Sequence, residues 1–126
     1  LSNVANFRSI RTLILEECSN ITDVSSLHGV YDLTLNYCWG VTDISSLGGH
    51  YRLEISGCNP SLTGYQALKN IPNVKLFEST ISDVSVLSNA KVVFLAECES
   101  LVDVSALSGV RELTLRSCPL VEDISM

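Results

Sequence analysis

The chain lacks any run of 18 apolar residues, so nothing in it is expected to span a membrane as a helix. Positive charge is also scarce. Eight Lys and Arg stand against 14 Asp and Glu, a net charge of -6, whereas a phosphate backbone rewards basic surfaces; nucleic acid is therefore not an expected partner. Catalytic equipment is missing too. The sequence shows no phosphate loop, no paired carboxylates set for acid-base work and no nucleophile with a base beside it. No enzyme activity and no cofactor are expected.

What the chain does have is a clock. Cys18, Cys38, Cys58, Cys98 and Cys118 are separated by 20 residues or, where one is skipped, by 40. Around each lies the same phrase, L-x-L-x-x-C-x-x-(I/V/L)-x-D-(V/I)-S-x-L, with copies starting near Leu13, Leu33, Leu53, Val74, Val93 and Leu113. Two copies are irregular. The one from Leu53 gains a residue after its cysteine, and the one from Val74 loses a residue and carries Ser79 where the others carry cysteine. The steps are thus 20, 20, 21, 19 and 20 residues, within the window that marks a repeat array, or solenoid.

Alternation in Leu13-Ile14-Leu15 or Leu113-Thr114-Leu115 puts the leucines on one face of a strand. Successive copies then pair in parallel. A parallel pair needs a return of about a dozen residues, which the stretch from cysteine to the next leucine supplies. That stretch is too short for long helices, so tight turns and brief 3₁₀ pieces are expected. Leu27, Leu47, Leu68, Leu87 and Leu107 should face inward from it to meet the strand leucines. One copy cannot bury this face alone, but a stack of copies makes a continuous core.

The phrase resembles the leucine-rich repeat over nearly the whole chain. Its I-x-D-(V/I)-S-x-L part is most similar to the short repeats of the internalin and protein-phosphatase-regulator type. Cysteine in place of the usual asparagine is more like the cysteine-containing class of F-box adaptors. The resemblance implies an α/β solenoid: a right-handed arc with a concave parallel sheet of about six strands and turns or 3₁₀ segments on the convex side. It also implies a protein-protein interaction module that binds its partner on the concave face. Two other functions are expected alternatives: a permanent structural subunit of a large assembly, and the substrate-recognition part of a ubiquitin-ligase adaptor. Residues 1–126 form one domain in this reading. Neither an initiator methionine nor a signal-peptide pattern stands at Leu1, and the chain stops within the recurring D-(V/I)-S phrase, so a piece of a longer array is expected.

The thiols form the first candidate site. Adjacent strands lie about 4.8 Å apart, inside the broad range compatible with a disulfide. A ladder nevertheless points neighbouring side chains the same way, so buried free thiols are the expectation. Zinc wants tetrahedral ligands, whereas these sulfurs form a line, and neither His28 nor His50 joins it. An odd number of reduced thiols favours an intracellular setting. A second column, Asp23, Asp43, Asp83, Asp103 and Asp123, is interrupted at Gly64. Calcium would suit such oxygens. Capping of the turn that each aspartate opens, as a helix N-cap does, needs no further ligand and is preferred. The serines two residues on belong to the same turns and have no histidine partner. The sequon Asn20-Ile21-Thr22 sits inside the repeat phrase and reads as a chance match.

The third candidate is the outward face of the sheet. Asp32 beside Arg52 and Glu54 beside Lys75 are expected cross-strand pairs, worth roughly 0.2 to 1 kcal/mol each. Val92, Phe94 and Phe77 should form an exposed apolar cluster flanked by Glu78 and Glu97, with Tyr37 and Trp39 as further contacts. Aromatics inside an acidic rim suit a protein or peptide with apolar and basic side chains. Alternatively, another part of a longer protein, or another subunit, covers the patch.

Overall fold

The computed structural model describes residues 11–57 and 59–121. Cys58 and Asp123 lie outside the described residues. Six five-residue strands, β1 (Thr12–Glu16), β2 (Asp32–Asn36), β3 (Arg52–Ser56), β4 (Asn73–Phe77), β5 (Val92–Ala96) and β6 (Glu112–Arg116), form one parallel sheet in chain order. Their register follows the sequence phase, Leu33 opposite Leu53 and Leu53 opposite Val74, so the inserted and deleted residues are absorbed outside the strands.

Alternation sorts the side chains. Leu33, Leu35, Leu53, Ile55, Val74, Leu76, Val93 and Leu95 are buried, while the residues between them face outward. Each strand is ended by the next residue. Glu17, Tyr37, Gly57, Glu78, Glu97 and Ser117 all have positive φ, between 52° and 66°. This left-handed pivot turns the chain off the sheet while letting the residue's own N–H reach the neighbouring strand. Glu17 N–H donates to Asn36 O at 2.8 Å, Glu78 N–H to Ala96 O at 2.9 Å and Glu97 N–H to Arg116 O at 2.9 Å. For residues with a Cβ such a conformation costs about 1–2 kcal/mol each.

The returns carry short 3₁₀ helices at Ser25–Leu27, Tyr65–Leu68, Ser85–Leu87 and Ser105–Leu107. Leu27, Leu47, Leu68, Leu87 and Leu107 are all buried against the strand leucines. The return after β2 departs from the expected 3₁₀ piece. There Thr63 N–H donates to Thr42 O at 2.8 Å and Ile44 N–H to Thr63 O at 3.0 Å, a small parallel bridge in place of a helix. Close approach of backbones also explains Gly40, where a Cβ would meet the carbonyl oxygens of Ser19 and Ile21 in the preceding return. No helix among the described residues is long and apolar enough to cross a membrane.

A histidine enters the core. His50 takes the place that Val30 and Ala90 hold in other repeats and is only 3% exposed. Its Nδ1 lies 2.6 Å from Val30 O, which fixes that nitrogen as the donor, and its Nε2 is buried with no partner. Burial holds the ring below the ordinary histidine pKa of 6.5, with nearby His28 acting the same way. A group with a depressed folded pKa contributes stability that is whole above its unfolded pKa and is lost as pH falls below it. Urea unfolding should therefore show stability declining between about pH 7 and pH 5. His50→Val should flatten that decline; an equal pH dependence in both proteins would show that His50 is not its source.

Candidate functional site

The outward face of the sheet divides into two electrostatic parts. Across β2 and β3 one guanidinium gathers two carboxylates. Arg52 Nη1 sits 2.9 Å from Asp32 Oδ1, and its Nη2 pairs with Glu54. The same guanidinium lies 3.4 Å from Thr34 Oγ1 and so covers an outward threonine, which becomes buried. The expected Asp32–Arg52 pair is present. The expected pairing of Glu54 with Lys75 is replaced, because Arg52 takes both carboxylates. Lys75 instead turns to β5, its Nζ 5.5 Å above the centre of the Phe94 ring.

Across β4 and β5 the face carries an apolar cluster. Phe77 and Phe94 meet with ring centroids 5.1 Å apart and planes tilted by 35°, a favourable aromatic geometry. Val92 lies two residues before Phe94 on the same face of β5. The three form the cluster expected from the sequence, with a correction to their exposure. Each is half-buried rather than fully exposed, since the rings shield one another and Lys75 lies over Phe94.

Beyond the strand ends the pivot residues set the third part of the site. Tyr37 stretches across Gly57, where a Cβ would collide with its ring, and its hydroxyl donates to Glu78 Oε1 at 2.9 Å, two repeats away. That bond, together with the negative charge of Glu78, raises the tyrosine pKa. Glu97 occupies the same pivot position one strand on, so Glu78 and Glu97 stand as neighbouring like charges. Trp39, 45% exposed, is held at its carbonyl by Asn59 Nδ2 at 2.7 Å. Trp39, Glu78, Glu97 and Glu99 line a cleft of about 810 Å³, with Pro60 and Pro119 among its other walls. The outward columns placed Tyr37, Glu78 and Glu97 together; Glu99, the cleft and the bond between Tyr37 and Glu78 were not anticipated. The available signal was Gly57, the one missing side chain between Tyr37 and Glu78.

A different aromatic pair lies at the opposite ends of the strands. Tyr31 and Tyr51 stack at 4.8 Å with planes 8° apart, and the Arg11 guanidinium caps the stack 4.3 Å from the Tyr31 ring.

The other two columns serve the scaffold. Cys18, Cys38, Cys98 and Cys118 are free thiols. Cys38 and Cys98 are buried and point at backbone carbonyls, Cys38 Sγ lying 3.6 Å from Leu15 O and Cys98 Sγ 3.6 Å from Ala96 O. Burial raises both thiol pKa values, that of Cys98 to about 11. Cys18 and Cys118 depart from the expected buried column and are only partly covered. Ser79 fills the column's gap with support from the preceding repeat, its Oγ 3.2 Å from Tyr65 OH and accepting Ile81 N–H at 3.1 Å.

The aspartates hold their turns, with a change of position. Asp23, Asp43, Asp83 and Asp103 each accept the N–H of the serine two residues on, at 2.9 to 3.0 Å. Where a 3₁₀ helix follows, its N-cap is the intervening valine, Val24, Val84 or Val104, so the carboxylate stands one residue earlier than an N-cap. The backbone donor holds all four carboxyls below the usual range. Asn59 makes the same bond to Ser61 at 2.8 Å. Among the described residues no group of three or more His, Cys, Asp or Glu is arranged to hold a metal ion.

No family model matches the chain, and no curated protein matches it.

Two outcomes follow from the scaffold columns. In the folded protein at mildly alkaline pH, a thiol reagent should modify Cys18 and Cys118 well before Cys38 and Cys98, as read by peptide mass mapping. After non-reducing denaturation all five cysteines should react; a shortfall would reveal a disulfide. For the turns, Asp43→Asn should melt close to the parent and Asp43→Ala clearly lower, because asparagine keeps the acceptor oxygen. Calcium and chelator should leave melting unchanged, and a steep rise with calcium would overturn the turn-holding role.

Proposed function

We propose that the chain is a leucine-rich-repeat solenoid, with a short internalin-like phrase and a cysteine-containing variant of the repeat, whose work is to bind another protein along the concave, outward face of its sheet. The observation that carries this reading is the Phe77–Phe94 pair with Val92. On β2 and β3 Arg52 pairs with both Asp32 and Glu54 and covers Thr34, so the polar groups there are largely engaged with one another. The aromatic pair offers half-exposed apolar area on rigid strands, the combination in which binding energy concentrates.

The partner is a protein segment that brings an apolar anchor to the ring pair. Lys75 and Glu78 at its margins set polar register rather than affinity.

The test is a random peptide-display library panned on the protein. Enriched peptides should carry an aromatic or aliphatic anchor, and Phe94→Ala should weaken them by about 30-fold, equivalent to about 2 kcal/mol, while cooperative melting persists. Peptides that bind Phe94→Ala as well as the parent, but fail against substitutions in the returns such as Val102→Asp, would move the function off the sheet. They would favour a permanent subunit contact instead.

A further inference from the structure

We infer that the cleft beyond the strand ends receives an arginine side chain of the same bound segment, making the site a two-point reader of an apolar anchor followed by a guanidinium. This rests on the proposed binding at Phe77 and Phe94 and specifies the chemistry of the partner.

The cleft is continuous with the anchor site through the chain itself, since Glu78 follows Phe77 and Glu97 follows Ala96, the residue opposite Phe77 in the sheet. It is a groove with about 810 Å³ of space. Its walls combine the exposed Trp39 with Pro60 and Pro119, flat and apolar, and the three carboxylates of Glu78, Glu97 and Glu99. None of the three forms an ion pair among the described residues, whose only ion pairs are the two made by Arg52. The Tyr37 hydroxyl donates to Oε1 of Glu78, so this carboxylate is already oriented before a ligand arrives.

A cation entering here relieves repulsion between neighbouring glutamates. Arginine fits better than lysine. Its guanidinium is planar, stacks on an aromatic plate and spreads several N–H donors over two carboxylates, whereas an ammonium offers a compact and strongly hydrated charge. The interaction also transfers less hydrated charge into the cleft, because guanidinium sheds water more readily.

The test uses synthetic peptides that share one phenylalanine anchor and carry arginine, citrulline, lysine or glutamate at each of the following positions in turn. Binding is read by fluorescence anisotropy on the intact protein, on Glu78→Gln/Glu97→Gln/Glu99→Gln and on Phe94→Ala. At the best position the arginine peptide should bind at least about 10-fold more tightly than its citrulline counterpart, with lysine between them. The ratio should fall close to one in the triple glutamine protein and shrink at high salt. Citrulline is nearly isosteric and uncharged, so it separates charge recognition from shape.

Equal binding of arginine and citrulline peptides, or a preference that survives in the triple variant, overturns the arginine cleft. If Phe94→Ala then still abolishes binding, the anchor reading stands alone. If instead the preference for arginine needs the glutamates while Phe94→Ala changes nothing, the cleft is real and the anchor reading fails. Absence of binding by every peptide to the parent protein would overturn both.

Discussion

Each repeat can bury its leucines only against the repeats beside it, and the rest of the structure depends on keeping those neighbours in phase. The six strands hydrogen-bond in chain order without a crossover. Leu33, Leu53, Val74 and Val93 therefore form one continuous buried file, met from the other side by Leu27, Leu47, Leu68, Leu87 and Leu107. Burying such a side chain fully is worth about 1.5–3 kcal/mol, so a slip of one residue, which would send the whole file to the opposite face, is strongly opposed. Function can then be placed on the outward residues without disturbing the core.

The pivot after each strand links that scaffold to the candidate site. Glycine would adopt the left-handed conformation without strain, yet only Gly57 does so, and glutamate, tyrosine or serine fills the other five places. The lone glycine has a spatial role as well, since the Tyr37 ring passes over it on the way to Glu78. The same row of backbone pivots thus ends the strands, extends the interstrand hydrogen bonds by one residue and presents acidic side chains beside the aromatic pair.

Much of this was legible in the sequence because a period of about 20 residues sums weak local signals into a strong one. Strand positions, parallel pairing, inward leucines and the columns of thiols and aspartates all follow from phase. What did not follow was choice among partners within reach. Arg52 could pair with Asp32, Glu54 or both, and only geometry shows that it takes both and leaves Lys75 to Phe94. Burial of the phenylalanines depends in the same way on neighbours leaning over them. The missing 3₁₀ piece at Ser45–Leu47 escaped as well, because it reflects a bridge to Thr63 in the next, irregular copy. His50 looked like one of two unremarkable histidines until its column proved to be core.

The two irregular copies also compensate one another. A step of 21 residues followed by one of 19 restores the phase, and the hydrogen bond from Tyr65 to Ser79 joins the lengthened repeat to the shortened one. Tyr65 belongs to the copy with the insertion, and Ser79 stands where the copy with the deletion would otherwise carry cysteine. Evolution is thereby expected to treat repeats three and four as a single heritable unit. Recombination that exchanged or duplicated one without the other would separate Tyr65 from Ser79, while the strands would keep their register because each return absorbs its own change in length.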